Sequence, residues 1–191
     1  MNGSNLFVGT FSGVFLSTNN GTSWTAVNVG LTNLYVWSLA SSATNLFAGT
    51  DDGVFLSSNN GSSWSALNSG MRNTRVYSLA VSGTYLFAGT SGGGVFLSTN
   101  NGIDWTEVNS GLSTTTVWSL GTSGINVFAG TSTGVFVTTN NGVSWTEANS
   151  GLPSSTVQSM GASGMNLFAV PMAVCFSQQI MVQVGCRPIQ A

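Results

Sequence analysis

The chain has 191 residues, of which only 4 % are charged, and its formal net charge at pH 7 is −2. An ordinary soluble domain has about a quarter charged residues, so this chain has no basic field to hold phosphates, and we expect no nucleic-acid partner. Hydrophobic residues make up 42 %, a share that disordered chains lack, and no apolar run approaches the roughly 20 residues of a membrane helix. We therefore expect a folded domain with a sizeable core and no membrane span.

A unit of about 40 residues recurs along the chain. The segment Leu6–Thr10 returns with little change from Leu46, Leu86 and Val127, and a partial copy begins at Leu167. Helical repeats of this length need long stretches without Gly or turn signals, whereas every period here contains several of both. The periods begin near residues 5, 45, 85, 126 and 166. A repeat of this length and composition predicts the blades of a β-propeller.

Each period contains four short strand candidates, which the second period shows in chain order. Leu46–Thr50 is followed by Gly53–Ser57, then by an Asn59–Gly61 turn, a strand over Trp64–Asn68 and a strand over Val76–Val81. These segments are rich in β-branched and aromatic residues, and Asn-Gly between two strands is the strongest short-range hairpin signal. Blades stacked face to face cover both sides of each sheet, which explains the consecutive apolar residues. The sequence predicts an all-β propeller of four-stranded blades, with four blade equivalents and a partial fifth.

The turn after the Gly-Val-Phe-Leu-Ser strand keeps one pattern, Ser/Thr-x-Asn-Asn-Gly-x-x-Trp, in four periods. It resembles the Asp-box, or bacterial neuraminidase repeat, with Asn in place of the usual Asp. The resemblance implies a structural turn between the third and fourth strands, with the Trp packed under it and remote from any active site. Asn keeps the acceptor oxygen that caps the turn amides, while neutral oxygens bind hard cations poorly, so we expect no metal. The positions are Ser17, Asn19, Gly21, Trp24, Ser57, Asn59, Gly61, Trp64, Ser98, Asn100, Gly102, Trp105, Thr138, Asn140, Gly142 and Trp145.

The same resemblance implies the strand order within a blade. The Val-Tyr-Ser-Leu strand is innermost, Leu-Phe-Ala-Gly-Thr is second, Gly-Val-Phe-Leu-Ser is third, and the strand after the box Trp is outermost. Innermost strands then begin near Val36, Val76, Val117 and Val157. One arrangement open to the chain is a closed ring, in which the strand at Val157 joins the first blade.

Residues 1–169 follow the repeat, and residues 170–191 do not. When the tail is back-translated and shifted by one base, its codons permit Gly-Val-Phe-Leu-Ser-Thr-Asn-Asn-Gly-Thr-Ser-Trp, which is a fifth copy of the repeat. We therefore hypothesise a one-nucleotide deletion at Val170, which makes 170–191 an out-of-frame tail and not a native blade. Cys175 and Cys186 then need neither a disulfide nor a ligand role.

The residue inventory offers no catalytic set. The chain lacks His, which excludes Ser-His-Asp and Cys-His arrangements and His-based metal sites. Sialidases of the resembled superfamily use an arginine cluster, whereas Arg72 and Arg75 share one loop and Arg187 lies in the tail. Ser91–Gly94 lacks the Lys and the helix of a phosphate loop. A glycosidase needs paired carboxylates, but the acids occupy turn and outer-strand positions, namely Asp51, Asp52, Asp104, Glu107 and Glu147. We expect no enzymatic activity, no cofactor and no metal.

An aromatic position recurs on the innermost strand, as Trp37, Tyr77 and Trp118, with Gln158 in the fourth copy. These rings either line a ligand-binding channel or pack between blades, and packing is the more ordinary role. The sequence favours a non-catalytic scaffold with a protein- or peptide-binding surface. The alternatives are a carbohydrate-binding propeller and an inactive remnant of a sialidase or glycosidase propeller.

Two further expectations concern assembly and location. An unpaired blade edge seeks a partner, so a homo-oligomer that completes a larger ring is one expected state. The composition, rich in Ser, Thr and Asn and without Lys, indicates a secreted or cell-surface bacterial protein, although Met1–Ser4 has no basic start and no apolar stretch of a signal peptide.

Overall fold

The computed structural model describes residues 5–42, 45–72, 75–152, 156–163, 166–171 and 182–185. Within these residues all the regular structure is β, in five antiparallel sheets that follow one another along the chain. Three sheets have four strands each, as the repeat predicts, and the first and last have three. The expected all-β propeller architecture is confirmed.

The strand bounds repeat from sheet to sheet. The first sheet contains β1 (Leu6–Thr10), β2 (Gly13–Ser17) and β3 (Thr25–Ala26). The second contains β4 (Val36–Ser42), β5 (Asn45–Thr50), β6 (Gly53–Ser57) and β7 (Ser65–Ala66). The third contains β8 (Val76–Ser82), β9 (Tyr85–Thr90), β10 (Val95–Ser98) and β11 (Thr106–Glu107). The fourth contains β12 (Val117–Ser123), β13 (Asn126–Thr131), β14 (Gly134–Thr138) and β15 (Thr146–Glu147). The fifth contains β16 (Val157–Ser163), β17 (Asn166–Pro171) and β18 (Val182–Gly185).

The outermost strand of each blade is shorter than the sequence suggests. The expected strand Trp64–Asn68 is regular only over Ser65–Ala66. Beyond it the Asn68 side chain takes over the pairing, because its Oδ1 accepts the Val54 N–H at 2.8 Å and its Nδ2 donates to the Asp52 carbonyl at 2.9 Å. The Asn68 amide thus replaces backbone pairing and hydrogen-bonds the outer segment to the hairpin between the second and third strands.

The core lies between consecutive blades. The second strand of each complete blade is buried on both faces, so that Phe47, Phe87 and Phe128 are at most 2 % exposed. One hydrophobic cluster joins Phe47 and Val54 of the second sheet to Val76 and other residues of the third. Burial of a Phe side chain stabilises by about 1.5–3 kcal/mol, so these interfaces hold the stack together with almost no contribution from charge.

The pairing of the fifth sheet shows whether the chain closes into a ring. The strand at Val157, β16, pairs with β17 in its own hairpin. Within the described residues β1 pairs with β2 alone, so the ring-closing pair between β16 and the first sheet is not formed. β17 occupies the edge of β16 with which β1 would pair in a closed ring.

The tail contributes one strand. Val170 and Pro171 complete β17, and β18 occupies the third position of the fifth sheet. Leu167 faces Val184, 17 positions later, whereas in the second blade Leu46 faces Ser57, 11 positions later. A different segment therefore fills the place where the repeat would put its third strand. Residues 172–181 and 186–191, with both cysteines, lie outside the described residues, and the frameshift stays a hypothesis about the coding DNA.

Candidate functional site

The four box turns share one set of hydrogen bonds. In the second blade Ser57 Oγ donates to Asn59 Oδ1 at 2.8 Å and accepts the Gly61 N–H at 2.8 Å, while Asn59 Oδ1 accepts the Ser63 N–H at 2.9 Å. The following Asn60 has φ 55°, in the left-handed region that Asn tolerates. The same bonds recur around Ser17 and Asn19, Ser98 and Asn100, and Thr138 and Asn140.

The box tryptophans reach across to the preceding blade. Trp64, Trp105 and Trp145 are 3–4 % exposed, and each donates its Nε1–H to a backbone carbonyl of the blade before it, at 2.7–2.9 Å. The ring also lies beneath its own turn, since a Cβ added to Gly102 would sit 3.6 Å from Trp105 Cζ2. Trp24 has no described sheet before it and is 43 % exposed. Each of these three tryptophans therefore contacts its own blade, as expected from the sequence, and also the preceding blade, which was not expected.

A β-bulge positions the recurring aromatic residue of each innermost strand. The pairing register skips one residue between Val36 and Ser38 of β4, and the same skip recurs at the second residue of β8, β12 and β16. The skipped residues are Trp37, Tyr77, Trp118 and Gln158. A bulge re-aims the extra side chain away from the ladder, which takes these side chains out of the regular strand alternation.

The three re-aimed rings and two neighbouring rings, Phe11 and Tyr35, form a continuous line, which we call the aromatic row: Phe11, Tyr35, Trp37, Tyr77 and Trp118. Phe11 lies 5.0 Å from Trp37 and 5.7 Å from Tyr35, between ring centroids. Trp37 contacts Tyr77 edge-on at 5.3 Å, and Tyr77 stacks on Trp118 at 4.7 Å. Phe11, Tyr35 and Trp37 are 60 %, 52 % and 41 % exposed. The row crosses the first four sheets and presents a large apolar surface to solvent at one end.

An ion pair flanks the row. Asp51 Oδ1 accepts the Trp37 Nε1–H at 2.7 Å and lies 2.8 Å from Arg75 Nε. A hydrogen bond with Tyr77, followed by the negative charge of Asp51, raises the pKa of Arg75 above its usual value. Arg75 therefore stays charged at every working pH and remains half exposed.

Two features offer contacts to a ligand. Trp118 Nε1 is buried and has no hydrogen-bond partner. An open pocket of about 440 Å³ lies at the Phe11 end of the row, lined by Thr10, Val36 and Trp37 among others. Sequence reasoning identified Trp37, Tyr77 and Trp118 but missed Phe11 and Tyr35. The available signal was a departure from the repeat, because Phe11 stands where the other copies have Asp51, Ser91 and Ser132.

Three of the five acidic residues of the complete blades are held by bonds to neighbouring side chains. Asp51 pairs with Arg75, Asp104 accepts from Asn100 Nδ2 at 3.0 Å, and Glu107 accepts from Asn109 Nδ2 at 2.9 Å. The part of the chain that the structure describes contains no group of three or more His, Cys, Asp or Glu side chains suited to a metal ion. In that same part, no helix has the length and apolar character to cross a membrane.

Solved propellers resemble the chain closely in fold and weakly in sequence. A GH74 xyloglucanase from Xanthomonas campestris has 16 % identity, a TM-score of 0.70 and 93 % of this chain covered. YCF48 bound to D1 peptide has 14 % identity, a TM-score of 0.65 and 88 % covered. The extracellular domain of the hybrid two component system BT3049 of B. thetaiotaomicron has 15 % identity, a TM-score of 0.70 and 88 % covered. The chain spans only 33 %, 59 % and 24 % of these proteins, respectively.

A comparison with curated proteins gives no match. The family model described as DUF6242 beta propeller domain matches residues 2–109 and, in a second overlapping alignment, residues 31–166. Together the two alignments cover most of the chain and all of its complete blades. The chain belongs to the family of DUF6242 β-propeller domains.

Proposed function

We propose that the chain is a non-catalytic binding propeller, and that its aromatic row is the docking surface for an extended peptide of a partner protein. The observation that carries this proposal is the row itself: five neighbouring rings, three of them more than 40 % exposed. A repeated β-bulge turns Trp37, Tyr77 and Trp118 out of the regular strand alternation. Exposed aromatic patches of this kind mark interaction sites, because leaving such rings in water is unfavourable.

The polar groups beside the row suit a peptide backbone. Arg75 is half exposed and carries further N–H groups next to Tyr77. Extended proline-rich segments dock on aromatic-lined grooves, where ring faces contact prolines and N–H donors bind peptide carbonyls. Trp, Tyr and Arg are also the residues that contribute most to protein interfaces. The row and its flanking ion pair combine all three.

The non-catalytic part of the proposal is supported by the state of the carboxylates. Asp51 is engaged by Arg75 and Trp37, so its charge is balanced. A glycosidase needs one carboxyl free to give a proton and a second to act on the sugar. Peptide binding by YCF48 and the extracellular setting of the BT3049 domain agree with a binding role and an exported location.

A glycan is the second candidate ligand. The Tyr77 and Trp118 rings stack with only 26° between their planes, which gives a flat apolar face of the kind that sugar rings cover. The fold is shared with a xyloglucanase, and an inactive glycosidase remnant would keep such a surface. The peptide is favoured because the exposed end of the row, at Phe11 and Tyr35, is tilted and edge-on and not flat.

Titration separates the two ligands. A set of synthetic ten-residue peptides with proline at every third position, and xyloglucan and β-1,4-linked gluco-oligosaccharides, are titrated against the full chain while tryptophan fluorescence is followed. We expect saturable binding of peptides, weakened about tenfold or more by Trp37→Ala, because one interface ring is worth at least about 1.4 kcal/mol. Ile125→Ala, which removes an apolar side chain that is 74 % exposed and outside the row, leaves the affinity unchanged. Binding of the oligosaccharides alone establishes the second candidate, and binding of neither probe contradicts both.

A further inference from the structure

Consecutive blades are joined by the same contact at three junctions. The box Trp of the later blade donates its Nε1–H to one carbonyl of the earlier blade, and its backbone N–H donates to a second carbonyl at 2.8–2.9 Å. A glycine of the earlier blade lies directly against the carbonyl of that Trp. The sets are Val27, Val29 and Gly30 with Trp64; Leu67, Ser69 and Gly70 with Trp105; and Val108, Ser110 and Gly111 with Trp145.

In the first sheet the box tryptophan, Trp24, makes no such contact with another described sheet. Trp24 is 43 % exposed, against 3–4 % for the box tryptophans at the three junctions. A Cβ added to Gly61 would meet Val27 and Phe7 of the preceding sheet, whereas one added to Gly21 would have only Trp24 within 4 Å. We call this surface, formed by Gly21, Trp24 and the open edge of β1, the head.

In the fourth blade, the carbonyl side of this contact receives no hydrogen bond from another blade among the described residues. Ala148, Ser150 and Gly151 stand in the repeat where Val108, Ser110 and Gly111 stand in the third blade. Gly151 has the same left-handed conformation as its equivalents, with φ 81°, but no neighbouring atom of the described residues lies within 4 Å of its Cβ position. We call this surface, formed by Ala148, Ser150, Gly151 and the β16 edge beside them, the tail face.

The strand that now covers β16 is a poor version of β1. Second strands carry a glycine at their fourth position in the repeat because the next blade comes close: a Cβ on Gly89 would lie 2.7 Å from Val117 Cγ1. In β17 this position is Val170, and Pro171 follows without an N–H for the ladder. β1 has Gly9 and Thr10 instead, and Thr10 Oγ1 donates to the Gly13 carbonyl at 2.9 Å. β1 therefore keeps the residues by which a second strand pairs with its third strand and accepts a following blade, and β17 lacks them.

We propose that a second copy of this chain docks head to tail. Its sheet β1–β2–β3 takes the place of β17 on β16, and its Trp24 donates to the carbonyls of Ala148 and Ser150, as Trp145 does to Val108 and Ser110. The three internal junctions supply the geometry of the contact, and the head and the tail face lie on the same chain. Two such contacts join two copies in one ring, which removes the open edge of each.

Sedimentation velocity on the full chain, from about 1 to 500 µM, tests the proposal. We expect a species of twice the 19.6 kDa chain mass. Trp24→Ala weakens association about 30-fold or more, because a tryptophan that becomes buried at an interface contributes at least about 2 kcal/mol. Ala148→Leu strengthens it about fivefold or more, because it restores the larger side chain that Val27, Leu67 and Val108 supply at the internal junctions.

Ile103→Ala is the matched control, since Ile103 is 57 % exposed in the box turn of the third blade, away from both faces. It leaves association unchanged, and circular dichroism checks that every variant is folded. A monomer at all concentrations overturns the proposal, including a monomer in which Trp24 is protected because the chain closes on itself. A dimer that Trp24→Ala does not weaken also overturns it. A dimer that Trp24→Ala weakens and Ala148→Leu leaves unchanged indicates a head-to-head contact, and overturns it as well.

Discussion

Removing a box tryptophan tests whether the blades are held together by the cross-blade contact. Trp105 is 4 % exposed and donates to the Leu67 carbonyl of the preceding blade at 2.9 Å, whereas Trp24 occupies the same box position at 43 % exposure. A tryptophan buries about 150–250 Å², and truncation of a buried one costs about 3–5 kcal/mol. We expect Trp105→Ala to lower the free energy of unfolding by that amount and Trp24→Ala to lower it by less than about 1 kcal/mol.

The assay is urea unfolding followed by far-UV circular dichroism, at a concentration at which sedimentation velocity shows a monomer. Trp105→Phe isolates the hydrogen bond together with part of the ring, and we expect a loss of about 1–3 kcal/mol because the Leu67 carbonyl loses its partner. Equal losses for Trp105→Ala and Trp24→Ala would refute the reasoning. They would mean that the ring matters only to its own turn, which is the same in both blades.

Three other predictions concern packing, the box turn and the tail. Gly89→Ala lowers the free energy of unfolding by about 1–3 kcal/mol because its Cβ would lie 2.7 Å from a valine of the next blade. Gly161→Ala, with no neighbouring atom of the described residues within 4 Å of its Cβ position, changes it by less than about 0.5 kcal/mol, and urea unfolding measures both. Asn59→Ala costs about 1–2 kcal/mol by removing the acceptor of the Ser63 N–H, whereas Asn59→Asp keeps that acceptor. The new carboxylate is stabilised by the turn, so its pKa is lowered, and its contribution is lost as the pH falls below about 4, which acid unfolding detects as a sensitivity that the parent chain lacks. Sequencing the coding DNA around Val170 shows whether a one-base shift yields the fifth repeat, and codons that do not permit it end the frameshift hypothesis.

The blade itself was predictable from the sequence because its information is local. Asn60 takes a left-handed φ next to Gly61, and this dipeptide lies between two short apolar segments, which defines the hairpin. The 40-residue period then places the same hairpin in each blade. The sequence also identified the box residues that bond within one turn, such as Ser57 and Asn59, because their partners are two to four positions away.

Contacts between blades were not predictable in the same way. Trp64 Nε1 bonds to the carbonyl of Val27, a residue 37 positions earlier, and nothing in the pattern Ser/Thr-x-Asn-Asn-Gly-x-x-Trp indicates that partner. Backbone carbonyls exist at every residue, so only the stacking distance between sheets selects one. The sequence left the partner of β16 open for a related reason, since β1 and β17 have similar sequences and both suit one edge, which β17 occupies.

The candidate site was found in part. The recurrence of Trp37, Tyr77 and Trp118 was visible from the period, but inter-blade packing was the interpretation favoured for an aromatic residue on an innermost strand. The β-bulge that re-aims them has no sequence signal, because it is a register skip between paired strands. Phe11 was missed because it breaks the repeat, and in an array of near-identical units such departures are the positions that merit a search for ligand contacts.

Exchange of the indole protons tests the stacked-blade architecture most directly. The chain has six tryptophans, and nitrogen-15 NMR resolves one Nε1–H signal for each. Stacked blades joined through Trp64, Trp105 and Trp145 require slow exchange at these three indoles, since each donates to a carbonyl of the neighbouring blade. In the monomer, the exposed Trp24 exchanges fast. Equal and fast exchange at Trp24, Trp64, Trp105 and Trp145 would show that the blades do not stack on one another.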